Sequence, residues 1–349
     1  MGFAGLSWEK HALYKKKLKR GDYMHRIVVT DYQYESIQTQ YDMAEEAGDI
    51  ELLAYQCKTE QDVIDACAGA EVLISQYAPI TAHVLSKLPN LKAAVRYGIG
   101  TDTIDSAAAE RLGIYVCNVP DYGIDDTANH TLALLFAMMR KLPVVAADVK
   151  GGGWNINCAK PLYRFAGSTV GLVGFGRIAR DVARKLSVFG VKIIACAPHT
   201  TAEDMAQYGV EKATFSEVVS KSDFISLHCP ATKETFHMID AGAFQKMKNT
   251  AFLINCARGS VVDQQALEQA LQREEIAGAA LDVLEEEPIA MDSPLLKMDN
   301  VLVTSHVGGY SEQAILALQQ GVMREAIHIV HAGKPIHPVN RPQKAGRYR

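Results

Sequence analysis

Thr169-Val170-Gly171-Leu172-Val173-Gly174-Phe175-Gly176-Arg177-Ile178-Ala179 is the stretch whose reading decides the fold. An apolar, β-branched run leads straight into Gly174-x-Gly176-x-x-Ala179, and an amphipathic stretch follows. The spacing predicts a strand, a tight turn and the first turn of a helix. The first glycine permits the turn, the second lets backbone approach a pyrophosphate, and a small third residue lets helix pack on strand. A helix that begins at Arg177 and Ile178 would offer open N–H groups and the positive end of its dipole to phosphates. A further strand-like run at 191–195 sets this turn apart from an isolated glycine pair.

Outward from the loop, strand-like runs recur at 168–173, 191–195, 224–228, 251–255, 278–282 and 301–304, separated by helix-length segments. Strands alternating with crossovers read as a parallel, doubly wound sheet. Before the loop the same rhythm places strands at 26–30, 71–75, 92–96 and 114–117 and helical segments at 60–68 and 106–111. A long helical pattern starts near Asp125, where two aspartates suit the helix dipole, and runs to about Met139. Gly151-Gly152-Gly153-Trp154 reads as a loop, and a last helix is expected from Ser311 to about His331. The fold class is therefore α/β and two-lobed: a Rossmann doubly wound cofactor domain plus a flavodoxin-like substrate or lid domain. The expected boundaries are an N-terminal extension over 1–23, a substrate domain over 24–122 plus 311–335, a cofactor domain over 123–310, and a tail over 336–349.

Composition fits this reading. The chain has 349 residues, 48% of them hydrophobic and 22% charged, enough to bury two cores. A net charge of -4 gives no polyanion-binding footprint, so nucleic acid is not an expected partner. No apolar run reaches the ~18 residues that span a bilayer, so no membrane association is expected. The 7 cysteines are odd in number, widely spaced and without CxxC, which argues against a disulfide framework and a structural zinc site. A reducing, cytoplasmic setting and no metal are the expectations.

An acidic residue is expected at the end of the second strand, to bind the adenosine ribose. The stretch there is Ala195-Cys196-Ala197-Pro198-His199-Thr200-Thr201, with Ala197 where the acid belongs. Nothing at Ala197 repels a 2′-phosphate, no arginine adjoins it, and His199 offers a hydrogen bond. NAD is the expected cofactor, with NADP left open.

Three polar residues follow later strand ends: Arg258 in Asn255-Cys256-Ala257-Arg258-Gly259, Glu287 in Leu284-Glu285-Glu286-Glu287-Pro288, and His306 in Thr304-Ser305-His306-Val307-Gly308-Gly309. In doubly wound sheets ligands sit outside the carboxyl ends of the strands. Singly, each residue has an ordinary structural explanation; together they match one chemistry. Reduction of a 2-oxo acid needs a proton donor, which histidine supplies. A carboxylate bonded to the imidazole fixes its tautomer, and an arginine clamps the substrate carboxylate.

The sequence resembles the D-isomer-specific 2-hydroxyacid dehydrogenases, on four separated motifs besides the glycine loop. They are Arg96-Tyr97-Gly98-Ile99-Gly100-Thr101-Asp102, Asn-x-x-Arg-Gly-x-x-Val-Asp at 255–263, Asp-Val-x-x-x-Glu-Pro at 282–288 and His-x-Gly-Gly at 306–309. The resemblance runs from about residue 25 to 340. It implies Arg258 orienting the substrate, Glu287 supporting the histidine and His306 as acid/base. It places Asp282 on the nicotinamide carboxamide and His228, Cys229 and Pro230 around the adenine. Cys256, Ala257 and Gly308 complete the implied cofactor set, and His306 borders it. The backbone of Gly98, Ile99 and Gly100 would hold the substrate carboxylate, with Tyr77 lining the side-chain pocket. A homodimer built on the cofactor lobes is implied too. Cys117-Asn118-Val119-Pro120 and Tyr310-Ser311-Glu312-Gln313-Ala314 resemble the C-terminal-binding-protein-like branch, which includes transcriptional corepressors. The chain departs from the general pattern at Ala197 and at Ser305, where proline is usual. The expected function is hydride transfer between NAD(P)H and a small 2-oxo/2-hydroxy acid, D-isomer, with an NAD(H)-sensing corepressor-like protein as the alternative.

Overall fold

Strands and helices alternate along residues 23–342, which the computed structural model describes. In chain order the elements are β1 (His25–Val29), α1 (Gln38–Ala47), β2 (Ile50–Ala54), α2 (Glu60–Ala66), β3 (Val72–Ser75), α3 (Ala82–Lys87), β4 (Ala93–Arg96), α4 (Ser106–Leu112) and β5 (Tyr115–Cys117). Then come α5 (Ile124–Met139), α6 (Leu142–Lys150), β6 (Thr169–Val173), α7 (Arg177–Leu186), β7 (Lys192–Cys196), α8 (Ala202–Ala206), β8 (Val210–Lys212), α9 (Phe215–Lys221) and β9 (Phe224–Leu227). The last are α10 (Ala241–Phe244), β10 (Phe252–Asn255), α11 (Gln264–Gln272), β11 (Gly278–Leu281), β12 (Val301–Val303) and α12 (Glu312–Ala332). The described residues divide into two compact units, one of residues 23–122 with 315–342 and one of Gly123–Ala314.

The first unit carries a five-stranded parallel sheet in the order β2-β1-β3-β4-β5, the flavodoxin-like arrangement. Both faces are covered. One face packs Ile27, Val29, Val72, Ile74 and Val95 against Leu318, Val322, Met323, Ala326, Ile329 and Val330 of α12. Those helical positions recur at the 3.6-residue period that makes one apolar stripe. The other face packs Val28, Leu73, Ala94 and Val116 against Val63, Val84, Leu85 and Ala108. Local chemistry fixes the helix starts. At Thr59 the hydroxyl accepts the Asp62 N–H and the Asp62 carboxylate accepts the Thr59 N–H, a reciprocal cap that opens α2. The chain after α12 lies along the outer edge of β5. Val339 N–H donates to Val116 O at 2.7 Å, Asn340 Oδ1 accepts the Val116 N–H at 2.8 Å, and Asn340 Nδ2 donates to Ile114 O at 3.0 Å.

The second unit carries a seven-stranded parallel sheet in the order β12-β11-β10-β9-β6-β7-β8. From β6 the chain winds outward through β7 and β8, then crosses back to β9 and winds the other way. The order reverses between β6 and β9, the point where such sheets bind ligands. Fully buried Val170, Leu172, Ile254 and Ala280 pack on Leu135, Ala179, Val182 and Leu186 on one face. Ile225, Leu227, Leu253 and Ala279 pack on Phe244, Leu267 and Leu271 on the other.

The expected strands are all present, with ends shifted by a residue or so. Two additional strands appear. β8 is only three residues long, too short to show a period, and β2 is an edge strand that carries Glu51 in pairing register with Arg26. The sheet of the second unit therefore has seven strands rather than the six expected. Of the expected N-terminal extension, all but Tyr23 lies outside the described residues.

Candidate active site

The glycine loop joins β6 to α7 as its residues dictate. Gly174 has φ +95°, a conformation L side chains rarely adopt, and a Cβ there would stand 2.7 Å from the backbone C and O of His228. The loop must therefore pass directly against the end of β9, where His228 N–H donates to Val173 O at 2.7 Å, while Gly174 N–H donates to Cys196 O at the end of β7 at 2.8 Å. At Gly176 a Cβ would meet nothing within 4 Å, so the space above the loop is open. No side chain caps α7, whose first-turn amides face that space. A close turn, an open cradle and an uncapped helix start fit a dinucleotide pyrophosphate.

Around this cradle lie several expected cofactor residues. Ala197 directly follows β7 and His199 is exposed beside it. Across the strand pair, Lys212 of β8 reaches the same loop, its Nζ donating to Thr200 O at 2.7 Å. His228 follows β9; its Nε2 lies 2.9 Å from Ser226 Oγ, and burial pushes its imidazole pKa down to about 4. Cys229 is buried and Pro230 exposed. Burial also raises the Cys229 thiol to about 11 and the Cys256 thiol to about 12, so both stay protonated and neither is a nucleophile.

The carboxyl ends of β10, β11 and β12 deliver the polar constellation. After β10, Asn255 shapes the turn: its Oδ1 accepts the Ala257 N–H at 3.0 Å and its Nδ2 donates to Arg258 O at 2.9 Å. The Arg258 side chain donates through Nη1 to Ala257 O at 2.7 Å. Gly259 admits no side chain, because a Cβ would sit 1.9 Å from the Leu284 carbonyl. The final aspartate of this motif, Asp263, caps α11 by accepting the Ala266 N–H at 2.9 Å. Its role in the motif is therefore local and structural.

Asp282, 3% exposed at the end of β11, organises the loop after β12. Its Oδ1 accepts from Thr304 Oγ1 at 2.6 Å and from Val307 N–H at 3.0 Å. Its Oδ2 accepts the Gly308 N–H at 2.8 Å, and its backbone O accepts the His306 N–H at 2.9 Å. Four bonds from one residue hold residues 304–308. This loop needs such restraint: His306 has φ +56°, a left-handed conformation that costs a non-glycine residue roughly 1–2 kcal/mol.

Held this way, His306 places Nδ1 2.7 Å from Glu287 Oε2. Glu287 Oε1 accepts the Leu284 N–H at 3.0 Å, which fixes the carboxylate. Burial pushes the Glu287 pKa up, but the bond to His306, the Leu284 N–H and the nearby Arg258 charge outweigh it and hold the group below the usual carboxylate range. An ionised carboxylate only accepts, so His306 carries its proton on Nδ1 and leaves Nε2 without a partner among the described residues.

In the first unit, Asp31 accepts the backbone N–H of Gln76 at 3.0 Å and of Tyr77 at 2.5 Å, which fixes the turn that presents the exposed Tyr77. After β4, Asn118 Nδ2 donates to Ile99 O at 2.7 Å and Val119 N–H to Gly98 O at 3.1 Å. Gly98 has φ +142°. The N–H groups of Ile99 and Gly100 have no acceptor among the described residues and are partly exposed.

Sequence reasoning missed the supporting residues. His130 of α5 places Nε2 3.1 Å from Thr304 Oγ1 and 3.3 Å from Asp282 Oδ1. Neither His130 nor Asp31 belongs to a motif, and no spacing announces them. Asp282 is expected at the cofactor; its carboxylate is largely occupied by the 304–308 loop.

A family model described as the NAD binding domain of D-isomer specific 2-hydroxyacid dehydrogenase matches residues 132–308. The chain is similar to a glyoxylate reductase of Korarchaeum cryptofilum, 38% identical over 284 residues, 80% of this chain and 85% of that protein. It is similar to a D-3-phosphoglycerate dehydrogenase of Methanocaldococcus jannaschii, 35% identical over 321 residues, 91% of this chain but only 60% of that longer protein. Among solved structures, the D-lactate dehydrogenase of Aquifex aeolicus, complexed with NAD and lactic acid, matches with a TM-score of 0.81 at 29% identity. That match covers 91% of this chain and 100% of that one. None of the three is named as a corepressor, so the C-terminal-binding-protein-like branch gains no support from them.

Proposed function

Because the chain belongs to the D-isomer specific 2-hydroxyacid dehydrogenase family, we propose that it transfers a hydride between a nicotinamide dinucleotide and a small 2-oxo/2-hydroxy acid, acting on the D-isomer. The observation that carries this reading is the His306–Glu287 pair, 2.7 Å apart on loops that follow β11 and β12, with His306 Nε2 left open. In the reductive direction the His306 imidazolium gives its Nε2 proton to the carbonyl oxygen of the substrate. In the oxidative direction neutral His306 takes the hydroxyl proton through the same atom. Glu287 stabilises the imidazolium and keeps the Nδ1 tautomer. Arg258 pairs with the substrate carboxylate and polarises the carbonyl. Asp282 acts as a positioning residue by holding the loop that presents His306. The bound cofactor supplies or receives the hydride.

In the first unit, the open N–H groups of Ile99 and Gly100 suit a carboxylate, and Tyr77 suits a substrate side chain. Gly174, Gly176 and the start of α7 hold the pyrophosphate. We propose NAD as the cofactor with NADP accepted, because Ala197 presents no charge to a 2′-phosphate and the Lys212 ammonium anchors the adjoining loop. The names of the relatives make glyoxylate, phosphohydroxypyruvate and pyruvate the first substrates to assay with NADH and NADPH. Turnover of one of them supports the reading. Tight cofactor binding with no turnover on any 2-oxo acid overturns it.

A homodimer is proposed on the second unit. α6 is apolar (Leu-Pro-Val-Val-Ala-Ala-Asp-Val-Lys) yet has no buried residue, and Trp154 is 90% exposed, with Ile156 and Tyr163 also exposed. A monomer seldom leaves such residues in water. Light scattering should give twice the chain mass, and the monomer mass would overturn this. Among the described residues no helix is long and apolar enough to cross a membrane, and all seven cysteines are free, in keeping with a proposed cytoplasmic setting.

A further inference from the structure

At the amino ends of the first sheet, opposite the edge that carries Tyr77 and Gly98, three side chains far apart in sequence converge. His25 opens β1, Asp49 directly precedes β2, and His331 lies in the last turn of α12. His331 Nε2 stands 3.0 Å from both carboxylate oxygens of Asp49. The His25 and His331 rings meet edge to face, with centroids 5.7 Å apart. The ligand-type atoms of all three lie within 4.8 Å of one another.

An ordinary surface ion pair needs only His331 and Asp49. It does not account for a second imidazole at the same point, oriented from behind. His25 Nδ1 is bonded to Glu71 Oε1 at 2.9 Å. Glu71 is in turn paired with Lys92, whose Nζ lies 2.7 Å from Oε2. With Nδ1 bonded to Glu71, Nε2 is the nitrogen left to bind a metal. A carboxylate behind a ligating histidine is the usual outer support of a metal site.

We propose that His25, Asp49 and His331 bind a divalent transition-metal ion, zinc foremost, which ties the end of α12 to the starts of β1 and β2. Two imidazoles and one carboxylate suit zinc, cobalt, nickel or copper, whereas magnesium and calcium require oxygen-rich sets. Zinc–nitrogen and zinc–oxygen bonds of about 2.0–2.1 Å place tetrahedral ligands roughly 3.4 Å apart. The present spread closes by rotation of Asp49 and His331, whose side chains are each 41% exposed. Water completes the coordination. The site shares no residue with the proposed catalytic set, so its effect is on stability.

The test uses the full chain, stripped of metal with a chelator and then titrated with ZnCl2 or CoCl2. ZnCl2 should raise Tm by several degrees. CoCl2 should give weak visible d–d bands without the intense near-ultraviolet absorption of thiolate ligation. Both responses should disappear in His331→Gln and in His25→Gln. His331→Gln alters an exposed residue, so its metal-free melting should match the parent and confirm folding. Three results overturn the proposal: no response in the parent protein, thiolate absorption that assigns the ion to cysteines, or a response that survives both substitutions.

Discussion

His306 Nδ1 and Glu287 Oε2 are 2.7 Å apart, and the same carboxylate is pinned through its other oxygen by the Leu284 N–H. The pair therefore has one fixed partner on each side of the shared proton. Only Nε2 of the imidazole remains for a reacting group.

Replacing His306 by alanine should lower kcat by a factor on the order of 10²–10⁴ while leaving the affinity for NADH, read by fluorescence, close to that of the parent. A matched collapse of cofactor affinity would falsify the acid/base role and make the residue structural.

The two reaction directions should respond oppositely to pH. Reduction needs protonated His306 and declines as pH rises; oxidation needs the neutral form and increases. Glu287 is held below the usual carboxylate range. Its anionic support is therefore present across neutral pH and disappears only in acid, as pH falls through that lowered value. Glu287→Gln removes the charge but keeps an acceptor, so the pH profiles of the two directions should differ from those of the parent. Unshifted profiles in the variant would show that the carboxylate does not act through the imidazole.

Asp282→Asn places an amide NH2 among three hydrogen donors. The cost should be about 1–3 kcal/mol in urea unfolding, accompanied by a drop in kcat as the 304–308 loop relaxes. If stability falls and kcat does not, the loop is held by other means.

The His228 imidazole titrates at about 4 in the folded chain, against about 6.5 when unfolded. Between those values the unfolded state binds more protons, so stability falls as pH drops from 6.5 towards 4. The residue keeps partial exposure, which trims the full effect. From pH 7 to pH 5 the parent should lose about 1–2 kcal/mol more than His228→Asn. Equal losses would mean that the ring is fully hydrated.

The sheets were legible because the buried strands are short apolar runs between helix-length segments, and Gly174 marks a turn that favours glycine. The His306–Glu287 pair was legible because each member lies within a motif. The supports were not. Asp31 and His130 act by accepting or donating bonds across 45 and 174 residues of chain, separations at which a single sequence holds no spacing to read, while Asp282, which a motif does mark, holds the 304–308 loop, a role the motif does not announce. β8 escaped for the opposite reason: three residues held at the edge of a sheet are stabilised by their neighbour, β7, rather than by a pattern of their own.

The segment that ends at Asn340 has a further meaning. A lateral strand with bare amides is an invitation to any other extended chain, and β5 occupies that position in the first sheet. From within the same molecule the Asn340 Oδ1 accepts the Val116 N–H, the side chain standing in for a peptide group, while Val339 N–H and Asn340 Nδ2 donate to the carbonyls of Val116 and Ile114. Val339 and Asn340 seal a seam along which strands of separate molecules could otherwise zip together, so these few residues guard the protein against aggregation while taking no part in its chemistry.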